Sequence, residues 1–409
     1  MKKVLSLILA VTMLIGCCAM LAGCGNSGDD GFKIGVILIG DENEGYTYSH
    51  IKGIREAAES LGVKDEQIIW KYTVGEDEKC YDAAVDLVES GCTVIFSNSY
   101  GHQSHMQKAA SEYPEIQFVA CTGDTAAISG LDNFSNAFTF VYESRFVSGV
   151  VAGMKIKELV EAGKLTDANY DANGNVKMGY VGAYPYAEVV SGYTAFFLGA
   201  KSVYDKISME VQYTNSWFDI TAEATAAEAL AARGAVVICQ HADSTGAPSA
   251  VQALHKNGQV VYSVGYNVDM LSVAPDVALT SATNNWGVYY TYAIKAAMNG
   301  EKIATNWAEG YKTGAVCITA LGSACAAGTA EKVAEVEAAL KAGTLHVFDT
   351  SKFTVEGKQV TSCIVDLDGN FANTDPADKE AVWDGYFHES ELRSAPSFSL
   401  IIDGITPLN

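Results

Sequence analysis

Short runs rich in β-branched and aromatic residues alternate along this chain with amphipathic stretches, and that alternation restricts the fold more than any other feature. Phe32 to Ile39 precedes Thr47 to Leu61, and Thr93 to Ser97 precedes His105 to Glu112. The pattern resumes with Lys177 to Val181 before Ala187 to Val203, Met209 to Thr214 before Thr221 to Arg233, and Val236 to Gln240 before Pro248 to Asn257. In the stretch after Val181, residues Val189, Val190, Tyr193, Phe196, Phe197 and Ala200 recur at three- and four-residue spacing, as a helix packed on a sheet requires. Strand-helix alternation predicts mostly parallel sheets with helices on both faces. The two series are separated by a helical stretch from Glu143 to Ala162 and a polar loop from Thr166 to Asn175. The expected fold is therefore α/β in two lobes, 32–145 and 146–270, with 271–315 returning to the first lobe and 316–409 completing both.

In open α/β sheets, ligands bind beyond the carboxyl ends of the strands. Two lobes facing each other across those ends enclose a cleft. Its candidate walls are Gly40 to Tyr48, Ser97 to Ser104, Gly182 to Glu188, Asn215 to Asp219, His241 to Gly246 and Gly265 to Asp269. These segments hold Tyr46, Tyr48, Tyr100, Tyr184, Tyr186, Trp217, Phe218 and Tyr266, interleaved with Asn, Ser and Asp. Stacking faces plus a few orienting polar groups suit a flat, hydrogen-bonding ligand.

The N-terminus reads as an export signal. Lys2 and Lys3 precede an apolar run from Val4 to Leu21, which ends in Leu21-Ala22-Gly23-Cys24. The run approaches the length of a membrane span, but the small-residue box before a cysteine marks a lipoprotein signal over 1–23, with acyl chains on Cys24. A small polar tether, 24–31, follows. The expected location is extracytoplasmic, anchored to the bacterial cell membrane.

Charge narrows the partners. A formal net charge of −22 repels phosphate backbones and anionic headgroups, which disfavours nucleic acid. The chain has ten cysteines, of which Cys17 and Cys18 lie in the leader and Cys24 in the lipobox. The seven others are scattered without a Cys-x-x-Cys pair, and Cys121 and Cys239 close strand-like runs as small buried hydrophobes. His241, Asp243 and Ser244 are adjacent but lack the strand-turn-helix elbow of a nucleophile. His102 and His105 lack further metal ligands nearby, and no phosphate-cradling glycine run occurs. No catalytic residue, metal or cofactor is expected.

Several spaced motifs occur together: Gly179-Tyr180-Val181-Gly182, Glu188-Val189-Val190, Asn215-Ser216-Trp217-Phe218-Asp219, Gln240-His241-Ala242-Asp243-Ser244-Thr245-Gly246, and Thr280-Ser281 with Trp286-Gly287-Val288-Tyr289-Tyr290. In these the chain resembles the basic membrane lipoprotein family, substrate-binding proteins of ABC transporters that include purine nucleoside receptors. The resemblance implies a type I periplasmic-binding-protein fold with three crossovers, a cleft for a purine, and a partner permease with its ATPase. It implies base stacking by Tyr46 and Trp217 and a ribose-holding acid at Asp269. Three positions depart from the family's nucleoside pattern: Thr47 stands where Asn is expected, Ser104 where Asp is expected, and Asn284 where a ribose-binding Lys is expected. Those departures favour a free nucleobase, such as adenine, with a nucleoside as the alternative. The residues expected to face the ligand are Tyr46, Tyr48, Ser97, Asn98, Tyr100, Glu143, Trp217, Asp243, Asp269, Asn284 and Trp286. A purine hydrolase or a ligand sensor is the competing class.

Overall fold

The computed structural model describes residues 31–367 and 378–409. The expected leader, 1–23, with Cys24 and all of the expected tether except Gly31, lies outside the described residues. The first sheet has six parallel strands: β1 (Ile34–Ile37), β2 (Ile68–Lys71), β3 (Val94–Ser97), β4 (Gln117–Cys121), β5 (Phe134–Thr139) and β11 (Asn306–Glu309), in the order β11-β5-β4-β3-β1-β2. The second has seven: β6 (Val176–Gly182), β7 (Ile207–Tyr213), β8 (Val237–Gln240), β9 (Tyr262–Tyr266), β10 (Ala278–Asn284), β12 (Val316–Ile318) and a C-terminal strand, Ile405–Pro407. Their order is β12-β10-β9-β8-β6-β7 and then the C-terminal strand, with only β12 antiparallel to its neighbour. β1, β3 and β8 are buried along their whole length, as strands covered on both faces must be. This is the expected two-lobed α/β architecture.

Helices α1 (Gly45–Leu61), α2 (Glu78–Glu89), α3 (Gln103–Glu112) and α8 (Trp286–Met298) pack in the first lobe. There α1 lies so close to α8 that a Cβ on Gly53 would come within 2.8 Å of the Gly287 nitrogen. Helices α4 (Val141–Glu161), α5 (Ala187–Lys201), α6 (Ile220–Ala232), α7 (Gly246–Lys256) and α9 (Thr329–Lys341) belong to the second. α4 and α5 cross through glycines: a Cβ on Gly149 would collide with the Phe196 carbonyl, and one on Gly199 with the Phe146 carbonyl.

The chain passes between lobes three times, after β5, after β10 and after β11. The segment 271–315, expected to return whole to the first lobe, therefore divides. β10 stays in the second sheet beside β9, and only α8 and β11 return. The crossovers are stitched together: Phe140 N–H donates to Glu309 O at 2.7 Å, Asn285 N–H to Ala315 O at 2.8 Å, and the Thr139 hydroxyl to Asn284 Oδ1. The two strands of 316–409 that enter a large sheet, β12 and Ile405–Pro407, both join the second rather than being shared, and the other short strands pair among themselves. Phe348, Phe387 and Phe398 of that segment form an aromatic cluster in the second lobe's core.

Candidate ligand-binding site

The strand ends of the two lobes meet around an inner pocket lined by Ile39, Glu44, Tyr46, Asn98, Ser99, Tyr100, Thr122, Glu188, Trp217, Asp243 and Tyr266. Residues up to Thr122 come from the first lobe and the rest from the second. Tight turns shape the rim: Thr122, Asn215 and Asn267, each just past a strand, have φ of 64°, 55° and 61°. For a β-branched residue such as Thr122 this left-handed geometry is strained by about 1–3 kcal/mol, and such strain concentrates at functional sites.

Tyr46 is locked from both ends. Its hydroxyl donates to the Asn98 carbonyl. Its ring meets the edge of His50 at 4.6 Å, and His50 in turn stacks on Trp286 at 4.1 Å. Asn98 ties the end of β3 to the end of β1 and to α1, its Oδ1 accepting Ile39 N–H at 2.9 Å and its Nδ2 donating to Thr47 Oγ1 at 3.2 Å. The opposite wall is an aromatic group in which Trp217 meets Tyr184 at 5.5 Å and Tyr186 at 6.3 Å. Tyr100 approaches Tyr186 across the cleft at 6.3 Å.

Three carboxyl groups face this pocket and none of its lining residues is Lys, Arg or His. Burial pushes Glu188 up to about 7, against the pull of Arg145. Asp243 is raised well above the usual carboxylate range, by burial first and then by Glu44, Glu223 and Glu188; burial raises Glu44 as well. His241 lies beside Glu188, with Nε2 3.3 Å from its Oε1 and Nδ1 3.1 Å from the Tyr180 hydroxyl. Burial, reinforced by Arg145, holds it well below the ordinary histidine range, hence neutral. Arg145 itself is fully buried, donating to the Gln240 carbonyl at 2.6 Å with its guanidinium 3.7 Å from the Tyr266 ring centre. The ring separates this cation from the pocket, leaving a wall of carboxyl groups that burial shifts toward the protonated form, in which each can donate as well as accept a hydrogen bond.

Of the residues expected to face the ligand, Tyr46, Asn98, Tyr100, Trp217 and Asp243 line this pocket. Tyr48 is 43% exposed and lines a separate groove with Phe218 and Val268. Ser97 is buried as the last residue of β3, one position short of the rim. Glu143 is a hinge residue: its Oε2 accepts Tyr311 N–H at 2.7 Å, which ties the first crossover to the third. Asn284 is buried in the same hinge, accepting from Thr139 and donating to Asn267 Oδ1 at 3.1 Å. Trp286 is buried behind His50 and supports Tyr46 without reaching the pocket. Asp269 is exposed, and its Oδ1 accepts Leu271 N–H at 2.8 Å, so the acid implied for ribose points into a turn. The aspartate that does face the pocket is Asp243, anchored by Asn267 Nδ2 at 2.6 Å. Glu44, Glu188 and Tyr266 lay inside the segments picked out from the sequence but were not singled out as ligand-facing. Thr122 and Ile39 lay outside those segments.

The family described as ABC transporter substrate-binding protein, PnrA-like, matches residues 33–345. The purine-binding protein of Brucella abortus is 33% identical over 331 residues, covering 80% of this chain and 86% of the relative. Basic membrane protein A of Borreliella burgdorferi is 23% identical over 289 residues, 70% of this chain and 77% of the relative. A solute-binding protein of an ABC transporter system from Aeropyrum pernix shares the fold, with a TM-score of 0.63 at 16% identity over 78% of this chain and 93% of that one. With more than half of its length matched, this chain belongs to the PnrA-like family of ABC transporter substrate-binding proteins.

Proposed function

We propose that this chain captures a purine, preferably the free nucleobase, and delivers it to the permease and ATPase of an ABC importer while tethered to the membrane by lipid on Cys24. The observation that carries the reading is the inner pocket, where aromatic faces from both lobes surround a wall of carboxyls without a cation. Rings gain about 1–3 kcal/mol per stacking contact with a base, and carboxyls accept the N–H groups of a purine edge. The relative at 33% identity is named for purine binding. Preference for the free base rests on Asp269 and Asn284: one is exposed and the other is engaged in the hinge, so neither half of the implied ribose pair faces the pocket.

One observation favours a nucleoside as the second reading. A larger outer chamber opens off the inner pocket and shares Tyr100, Thr122, Glu188 and Trp217 with it. It has room for a sugar. The test is to denature protein purified directly from its native host and identify the released small molecule by mass spectrometry. A purine base in near-stoichiometric amount supports the reading, and a nucleoside shifts it to the second. Release of a non-purine compound in that amount would overturn both.

A further inference from the structure

The family match ends at residue 345, and the chain beyond it closes one side of the outer chamber with Cys363 to Asp366 and with Arg393 and Ala395 to Ser397. This segment is rooted in the second lobe. Phe398 stacks on Phe348 at 4.4 Å, and the buried Glu389 carboxyl accepts N–H from Ser397 and Phe398. From that root two residues reach the first lobe. Arg393 Nη1 lies 3.3 Å from Asp124 Oδ2, with the two side chains only 14% and 17% exposed. Ser394 donates through its N–H and its hydroxyl to Asn306 Oδ1, each at 3.3 Å.

Asp124 is held in place for this contact. Gln103 Nε2 donates to its Oδ1 at 3.1 Å and the Tyr100 hydroxyl to its Oδ2 at 3.3 Å. Tyr100 lines the inner pocket, so the ion pair is one hydrogen bond from a ring that faces the ligand. On the other side, Arg393 is oriented by the carbonyls of Asp366 at 3.4 Å and Pro396 at 3.3 Å. In binding proteins of this architecture the lobes separate by rotation about the crossovers. Any rotation that widens the cleft pulls Arg393 from Asp124 and Ser394 from Asn306. Contacts that exist only while the cleft is shut stabilise the closed state over the open one, and they slow ligand release by the same factor.

We infer that residues 389–398 form a clasp across the cleft, with Arg393 as a positioning residue that retains bound ligand by pairing with Asp124. The clasp does not depend on which ligand fills the pocket. The test is a double-mutant cycle on the full chain, using Arg393→Gln, Asp124→Asn and both together, with adenine release followed by the change in tryptophan fluorescence in a stopped-flow instrument. Each single variant should release adenine about three- to tenfold faster, the range of a partly buried ion pair. The double variant should be no faster than the faster single one, Arg393→Lys should restore most of the slow release, and thermal unfolding midpoints should stay unchanged. Unaltered release, or single effects that multiply in the double variant, would overturn the clasp. If adenine does not bind, which counts against the adenine preference and not against the clasp, solution X-ray scattering decides the clasp separately. A larger radius of gyration for Arg393→Gln than for wild type supports it, and superimposable profiles overturn it.

Discussion

Replacing Glu143 by Gln should stabilise the protein at alkaline pH and leave it nearly unchanged in acid. Glu143 stands where the chain first enters the second lobe, and burial raises its carboxyl from 4.5 to about 7 despite the hydrogen bond from Tyr311 N–H. The unfolded chain releases this proton near the lower value. Between those limits the folded protein holds a proton that the unfolded chain has lost, so stability falls as pH rises. The contribution of the neutral carboxyl is complete below about pH 4.5 and gone once the pH has passed through 7. At about 1.36 kcal/mol per pH unit, the cost of ionising the group is about 2–3 kcal/mol, the lower figure allowing for partial exposure. Gln keeps an oxygen for Tyr311 and carries no charge to desolvate. With an unfolding entropy of about 2.1 cal/mol/K per residue, the variant should melt about 3 °C higher than wild type at pH 8.5 and within about 1 °C of it at pH 5. Calorimetric scans at the two pH values give the answer. An equal difference at both, or a variant less stable at pH 8.5, would refute the reasoning.

Three further outcomes are expected. Trp217→Ala should weaken adenine binding by about 5- to 150-fold, the equivalent of about 1–3 kcal/mol of lost stacking, with the melting curve retained; an unchanged dissociation constant would place Trp217 outside the ligand's reach. Gly149→Ala should lower the unfolding midpoint, because the new methyl meets the Phe196 carbonyl where α4 and α5 cross, at about 1–3 kcal/mol for overpacking against a gain in helix propensity of at most about 1 kcal/mol; a stabilised variant would mean the two helices separate freely. Cys24→Ala should abolish incorporation of a radiolabelled fatty acid and leave an uncleaved precursor on gels, and equal labelling of the two proteins would rule out the lipoprotein reading.

The strand-helix alternation was legible because each unit carries its own hydrophobic period, and so were the post-strand segments that supply most of the pocket. Segment proximity does not fix side-chain direction. Asn267, at φ 61°, turns the loop after β9 so that its own amide reaches Asp243 while Asp269 faces solvent. A motif that implies a ribose-binding acid two residues on cannot register that turn. Glu143, Asn284 and Trp286 were polar or aromatic residues near the expected cleft, and their roles depend on partners about 17 to 240 residues away in sequence: Tyr311, Thr139, Asn267 and His50. The division of 271–315 was hidden for a similar reason, since β10 is made mostly of small residues that suit either sheet and only its pairing with β9 decides between them. The last 60 or so residues contribute short strands and irregular stretches, where periodicity carries little signal.

On the proposed function, the pocket between the lobes recognises a purine ring and prefers it without its sugar. Calorimetric titration of protein that has been unfolded and refolded to strip carried ligand, using adenine, guanine, hypoxanthine, adenosine and guanosine, tests it directly. Glucose belongs in the series because aromatic faces with carboxyls also suit a sugar. The expected result is one site per chain, with adenine bound at least as tightly as adenosine and no heat from glucose. Adenosine bound ten or more times tighter than adenine would contradict the preference for the base, and glucose binding without any purine response would contradict the claim as a whole.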